Sequence, residues 1–194
     1  MSQTRIVQKS ALGELFQKLL ASGQRILAPV KTAASPVGPA AARVEFAEVK
    51  SPDAVALDYI QTAASAKPAV FPRHEVLLRY RPAGTDGPAG SDGPAARDYL
   101  VDDTPEAPPT VLFGVHPCDA ASLATLKAVF TWDSPDTYFE SKLANLTVIG
   151  LACTKGDEFC FCTSVGLSPG STKGSDILLT PLDATRFLAE VQTG

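Results

Sequence analysis

The chain contains few cysteines, few histidines, no long apolar run and no excess of basic residues. There are only four cysteines among 194 residues, and three of them, Cys153, Cys160 and Cys162, fall within ten residues. A net charge of -4 argues against a dedicated nucleic-acid-binding protein, which usually has a basic face. No apolar run approaches the roughly 20 residues that span a bilayer, and Gln17 and Lys18 interrupt the apolar stretch near the N-terminus, which argues against a signal peptide. We therefore expect a cytoplasmic protein whose thiols stay reduced.

The composition is that of an ordinary globular protein, with 45% hydrophobic and 20% charged residues. The length predicts a single domain over residues 1–194 that folds without disulfide or metal support. Residues 81–97 contain a near-repeat in which GTDGPA is followed by GSDGPA. Because this segment has almost no apolar surface to bury, we predict a mobile surface loop that joins two strands.

Hydrophobic periodicity predicts a helix near the N-terminus, with Ser10 as its N-cap and Gly23 at its end. Its apolar face is formed by Leu12, Leu15, Phe16, Leu19 and Leu20. Residues 25–30 and 44–49 have the composition of strands, and the second of them alternates apolar and charged residues.

The second half of the chain contains the pattern of a βαβ unit. Residues 109–115 form an apolar run typical of a buried strand, residues 117–130 predict a helix, and residues 146–151 predict a second strand. Strands joined in this way are parallel, with a right-handed crossover. Two further strands are predicted at residues 175–180 and 187–191. We therefore predict an α/β fold with a mixed sheet that contains a parallel βαβ unit.

Two cysteines follow the ends of the two predicted parallel strands. Cys118 lies in the first turn of the predicted helix after Pro117, a residue favoured at the first helical position. The helix dipole there favours an anion, so we expect this thiol to ionise more easily than usual. Cys153 follows the second strand. Because the carboxyl ends of parallel strands lie at one edge of a sheet, the two cysteines are predicted to lie near each other.

The other two cysteines, Cys160 and Cys162, lie in the loop after Cys153. In an extended segment, residues i and i+2 point to the same side, so these two thiolates can bind one metal centre. Phe159 and Phe161 are candidates for shielding such a site from water. A disulfide between Cys160 and Cys162 would be strained, and a reducing compartment disfavours it.

Four thiolates match either tetrahedral zinc or a [4Fe-4S] cluster. However, the spacing is neither the paired Cys-x2-Cys of zinc ribbons nor the ferredoxin run. Three interpretations therefore remain open on spacing alone, namely a metal centre, reactive or redox-active thiols, and structural cysteines. The neighbouring His116 is either a hydrogen-bond donor to the same site or a satisfied polar residue at a strand end.

Two motifs resemble a known family, that of the sulfhydrogenase (NiFe hydrogenase) beta subunits and their counterparts in anaerobic sulfite reductase. The sequence GVHPCD at residues 114–119 resembles the GVRPCD element of this family, and CFCTSVG at residues 160–166 resembles its CFC-x-S-M-G element. Residues 175–180 and 189–191 resemble the last strands of the family's domain. The N-terminal half of the chain resembles the family sequence less closely. The resemblance covers about residues 12–194.

Members of that family are electron-transfer subunits of cytoplasmic complexes. They connect a flavin module that handles NAD(P)H with a catalytic subunit such as a hydrogenase or a sulfite reductase. The resemblance therefore implies that Cys118, Cys153, Cys160 and Cys162 ligate an iron–sulfur cluster or form its pocket. Three features depart from the family pattern. His116 replaces an arginine, Ser141-Lys142 replaces a basic pair, and the two Cys-x2-Cys-x2-Cys-x3-Cys-Pro runs of a ferredoxin-like module do not occur in residues 1–194.

Three functions are consistent with these residues. The first is an electron-transfer subunit or domain that carries one [4Fe-4S] cluster on the four cysteines, a role in which the chain breaks no substrate bond and depends on partner subunits. The second is a structural or docking domain in which the four thiolates bind zinc. The third is a thiol-based redox enzyme in which Cys118 is the nucleophile. None of the three involves nucleic acid or a membrane span.

Overall fold

The computed structural model describes residues 3–32, 43–82 and 99–192. The predicted loop at residues 81–97 falls almost entirely outside these ranges. Within the described part of the chain, no helix is both long and apolar enough to cross a membrane.

The described residues form nine strands and three α-helices, together with short 3-10 turns. In chain order, these elements are β1 (Gln3–Gln8), α1 (Ala11–Ala21), β2 (Arg25–Thr32), β3 (Arg43–Glu48), β4 (Arg79–Pro82), β5 (Tyr99–Asp102), β6 (Thr110–Val115), α2 (Pro117–Phe130), α3 (Thr137–Ala144), β7 (Leu146–Leu151), β8 (Ile177–Pro181) and β9 (Arg186–Val191).

Seven of the strands form one mixed sheet in the order β1-β9-β8-β7-β6-β2-β3, and β4 and β5 form a separate hairpin. The four central strands of the large sheet are mutually parallel, whereas β1, β9 and β3 pair antiparallel at its two sides. Strands β6 and β7 are parallel neighbours connected through α2 and α3. The predicted α/β fold with a parallel βαβ unit is therefore confirmed.

Helices cover both faces of the sheet, as a buried parallel sheet requires. On one face, α1 packs against the sheet, and its Phe16 ring meets Phe113 of β6 edge to face with 5.1 Å between centroids. On the other face, Phe130 of α2 stacks on Phe139 of α3 at 4.5 Å. Ser10 occupies the N-cap position of α1 as predicted, but its side chain makes no capping hydrogen bond.

We predict that Phe16→Ala lowers the free energy of unfolding by about 3–5 kcal/mol, because it removes a fully buried ring and leaves a cavity beside Phe113. The matched control is Trp132→Ala, since the Trp132 side chain is 87% exposed. That change is expected to alter stability by only about 0.5 kcal/mol. Urea unfolding of both variants measures the difference, and equal losses would contradict the packing described here.

Candidate functional site

The four cysteines line a single cavity of about 990 Å³. Cys118 is the second residue of α2, which follows β6, and Cys153 comes two residues after the end of β7. Cys160 and Cys162 belong to the long connection from β7 to β8. The structure therefore brings together, at the carboxyl edge of the parallel strands, the four side chains that the sequence analysis singled out.

A β-bulge at the end of β6 contributes to this arrangement. The pairing of β6 with β7 shifts register between Phe113 and Val115, and the intervening Gly114 has a φ of 73°. Phe113 packs in the core on the α1 side, whereas Val115 packs in the core on the α2 side. Bulges of this kind change the direction of the chain at the end of a strand. Here the bulge lies directly before the turn that leads to Cys118.

Tyr59 and His116 form a stacked aromatic pair at the cavity wall, with 4.0 Å between ring centroids and 4° between planes. The Tyr59 hydroxyl donates to the carbonyl of Gly114 at 2.8 Å. Burial raises the pKa of Tyr59 and lowers the pKa of His116, and a hydrogen bond to the Ile60 backbone opposes the shift of His116. Burial therefore favours the neutral form of both rings, and His116 fits the interpretation as a satisfied polar residue better than that of a donor to the site.

The connection from β7 to β8 turns back on itself near Cys153. The amide of Cys153 donates to the carbonyl of Pro169 at 2.9 Å, and the amide of Leu167 donates to the carbonyl of Cys162 at 2.9 Å. A 3-10 turn over Cys162–Val165 ends at Gly166, whose φ of 74° suits a residue without a side chain. Because of these backbone contacts, the chain that follows Cys162 folds back towards Cys153.

The same connection then packs against the first turns of α2. Gly174 has a φ of 83°, and a Cβ atom built on it would lie 2.3 Å from the carbonyl oxygen of Ala120. Only glycine allows so close an approach between the two backbones. The returning loop is therefore fixed against the helix that carries Cys118.

A short segment from the first half of the chain also contacts the cysteine loop. Lys155 Nζ donates to Asp58 Oδ1 at 2.9 Å, and Gln61 Nε2 donates to Asp157 Oδ1 at 3.0 Å. Sequence reasoning missed this segment and its Tyr59, because the contacting residues are separated by about half the chain. No periodic pattern or motif marks such pairs in the sequence.

The thiols ionise less easily than the sequence suggested. Burial raises the pKa of Cys118, and the neighbouring charge of Asp119 raises it further. Hydrogen bonds from the nearby backbone amides lower the pKa, but by less than these two effects raise it. The expectation that the helix start lowers the pKa of the Cys118 thiol is therefore wrong. Burial raises the pKa of Cys153 to about 11, with further contributions from Cys118, Cys162 and Cys160. Thiolates gathered in one cavity disfavour one another, and a bound cation reverses that penalty.

The donor set fits a soft metal centre in type and number, since four sulfurs are the ligands preferred by zinc and by iron–sulfur clusters. Over residues 3–32, 43–82 and 99–192, no three His, Cys, Asp or Glu side chains stand where they would hold one metal ion.

The two phenylalanines of the loop do not shield the cavity as predicted. Phe159 and Phe161 line it, but their side chains are 69% and 68% exposed in the chain by itself. The cavity is therefore open to solvent on this side, next to Cys160 and Cys162.

One curated protein is similar to most of the chain. The chain is 30% identical over 169 residues to sulfhydrogenase 2 subunit beta of Pyrococcus furiosus, and the aligned region covers 87% of this chain and 42% of that protein. The chain thus spans less than half the length of this relative. No family model and no solved structure matches the chain.

Proposed function

We propose that this chain belongs with the sulfhydrogenase beta subunits, to one of which it is 30% identical over 169 residues, and that it is an electron-transfer domain of a multi-subunit oxidoreductase. It carries one [4Fe-4S] cluster on Cys118, Cys153, Cys160 and Cys162. The partners are the other subunits of the complex, namely a flavin module that handles NAD(P)H, a ferredoxin-like module and a catalytic subunit.

The observation that supports this proposal is that two segments distant in the chain, the start of α2 and the connection from β7 to β8, bring four thiols to one cavity. When bound, the cluster would supply one-electron redox chemistry. The residues of the chain hold the cluster and set its surroundings. The stacked Tyr59 and His116 rings form an aromatic wall on one side of the cavity. The amide of Asp157 donates to Cys160 Sγ at 3.4 Å, a type of contact that tunes the potential of a cluster.

The open side of the cavity is consistent with a role that depends on partners. An electron carrier needs a route by which another redox group approaches its cluster. Phe159 and Phe161 provide an exposed apolar rim beside two of the four sulfurs. We therefore expect a partner subunit to cover this side in the assembled complex.

A zinc-stabilised docking domain is the second candidate. The connection from β7 to β8 is long and contains only one short 3-10 turn within its described residues. Four thiolates on one zinc ion would hold such a loop in place. A thiol-based enzyme is less well supported, because burial raises the pKa of Cys118 and the nearest histidine, His116, is buried and stacked on Tyr59.

A redox test on anaerobically purified chain distinguishes these candidates. We expect a brown protein with a broad visible absorbance that dithionite bleaches and mild oxidation restores, together with an electron paramagnetic resonance signal in the reduced state. A colourless protein with one zinc ion per chain would support the docking domain instead. A visible spectrum that reductant leaves unchanged would contradict electron transfer.

A further inference from the structure

We propose that Asp157 is a positioning residue for Cys160 and that its negative charge lowers the reduction potential of the cluster. This inference rests on the proposed function, because it assigns a role towards the cluster to a residue outside the ligand set. Neither cysteine motif includes Asp157.

The side chain of Asp157 is held in place by several contacts. Its Oδ1 atom accepts hydrogen bonds from the backbone amide of Phe159 at 3.0 Å and from Gln61 Nε2 at 3.0 Å. Cys160 Sγ lies 3.4 Å from the same oxygen. The carboxylate is therefore fixed beside one proposed ligand sulfur by a turn of its own loop and by a residue from a distant segment.

The backbone of Asp157 contacts Cys160 as well. The amide of Asp157 donates to Cys160 Sγ at 3.4 Å, and the amide of Cys160 donates to the carbonyl of Asp157 at 3.2 Å. A Cβ atom built on Gly156 would lie 3.5 Å from Cys160 Sγ, so the backbone of this turn lies close to that sulfur. These contacts orient Cys160 and place the charge of Asp157 next to it.

The charge matters because reduction adds one negative charge to the cluster. A carboxylate close to a ligand sulfur repels the added electron and stabilises the oxidised state. The neighbouring Lys155 does not offset this effect directly, since its ammonium group pairs with Asp58. Of the ion pairs among the described residues, none involves Asp157.

The test compares Asp157→Asn with the matched control Glu158→Gln in anaerobically purified chain. Asparagine keeps an acceptor oxygen for Phe159 and Gln61 but removes the charge beside Cys160. Glu158→Gln removes the same charge one residue away, from an exposed side chain. Iron content is expected to match wild type in both variants.

Redox titration followed by visible absorbance gives the decisive readout. In Asp157→Asn, the ratio of reduced to oxidised cluster at a fixed potential is expected to rise about threefold to tenfold, where tenfold equals 59 mV for a one-electron couple. In Glu158→Gln, the ratio is expected to change less than twofold. Asp157→Ala, which also loses the acceptor for the turn, is expected to bind less iron than Asp157→Asn.

Two outcomes would overturn the inference. If Asp157→Asn binds iron and titrates like Glu158→Gln, the charge of Asp157 does not act on the cluster, and the proposed function still stands. If the wild-type chain binds no iron at all, the proposed function fails and this inference fails with it.

Discussion

Cys118→Ser is expected to reduce the iron bound by the anaerobically purified chain at least about tenfold. Cys118 is the only one of the four cysteines on α2, and the other three belong to the segment after β7. A serine hydroxyl is a harder and less acidic ligand than a thiol, so three sulfurs alone hold the centre poorly. Iron analysis and the visible spectrum of the purified variant measure the loss.

The control for this prediction is Ser122→Ala on the same helix. Ser122 also lines the cavity, and its hydroxyl donates to the carbonyl of Asp119 at 2.7 Å. Its removal changes the cavity wall without removing a sulfur, so iron binding is expected to stay at the wild-type level. Iron retained in full by Cys118→Ser would show that α2 contributes no ligand, and the four-cysteine site would be wrong.

Gly174→Ala is expected to lower the free energy of unfolding by about 2–4 kcal/mol. The new methyl group would overlap the carbonyl of Ala120 in α2, and the positive φ of Gly174 adds strain for any residue with a side chain. Because the change forces the returning loop away from the helix that carries Cys118, iron binding is expected to fall as well. Urea unfolding and iron analysis of the same preparation measure both effects.

Gly170→Ala serves as the matched control in the same loop. A Cβ atom at Gly170 would meet no atom within 4 Å. Its expected effect on stability is about 0.5 kcal/mol or less in either direction. Similar losses in the two variants would contradict the close approach between the loop and α2.

The elements predicted best are those with a strong local signal. The helix Pro117–Phe130 and the strand Leu146–Leu151 have the bounds that the sequence predicted. Strand β1 was not predicted, because its side chains are mostly exposed and its partner β9 lies at the other end of the chain. Helix α3 was not predicted as an element, although the side chain of Asp136 caps it by accepting from the amide of Phe139 at 2.9 Å.

The part of the candidate site that could be predicted from the sequence is the part that depends on the direction of the strands. The parallel pairing of β6 and β7 places the residues after both strands at one edge, and this rule alone predicts that Cys118 and Cys153 lie near each other. The raised pKa of Cys118 was not predictable, because burial arises from packing between segments distant in the chain. The same limit applies to the stack of Tyr59 on His116, whose partners are 57 positions apart.

Native mass spectrometry of the wild-type chain, purified and measured without oxygen, tests whether the four sulfurs share one inorganic centre. Parallel iron and zinc analysis identifies the metal. We predict one dominant species whose added mass corresponds to about four iron and four sulfide ions, with no bound zinc. A chain at its bare mass, or one with a single zinc ion, would contradict the proposed cluster.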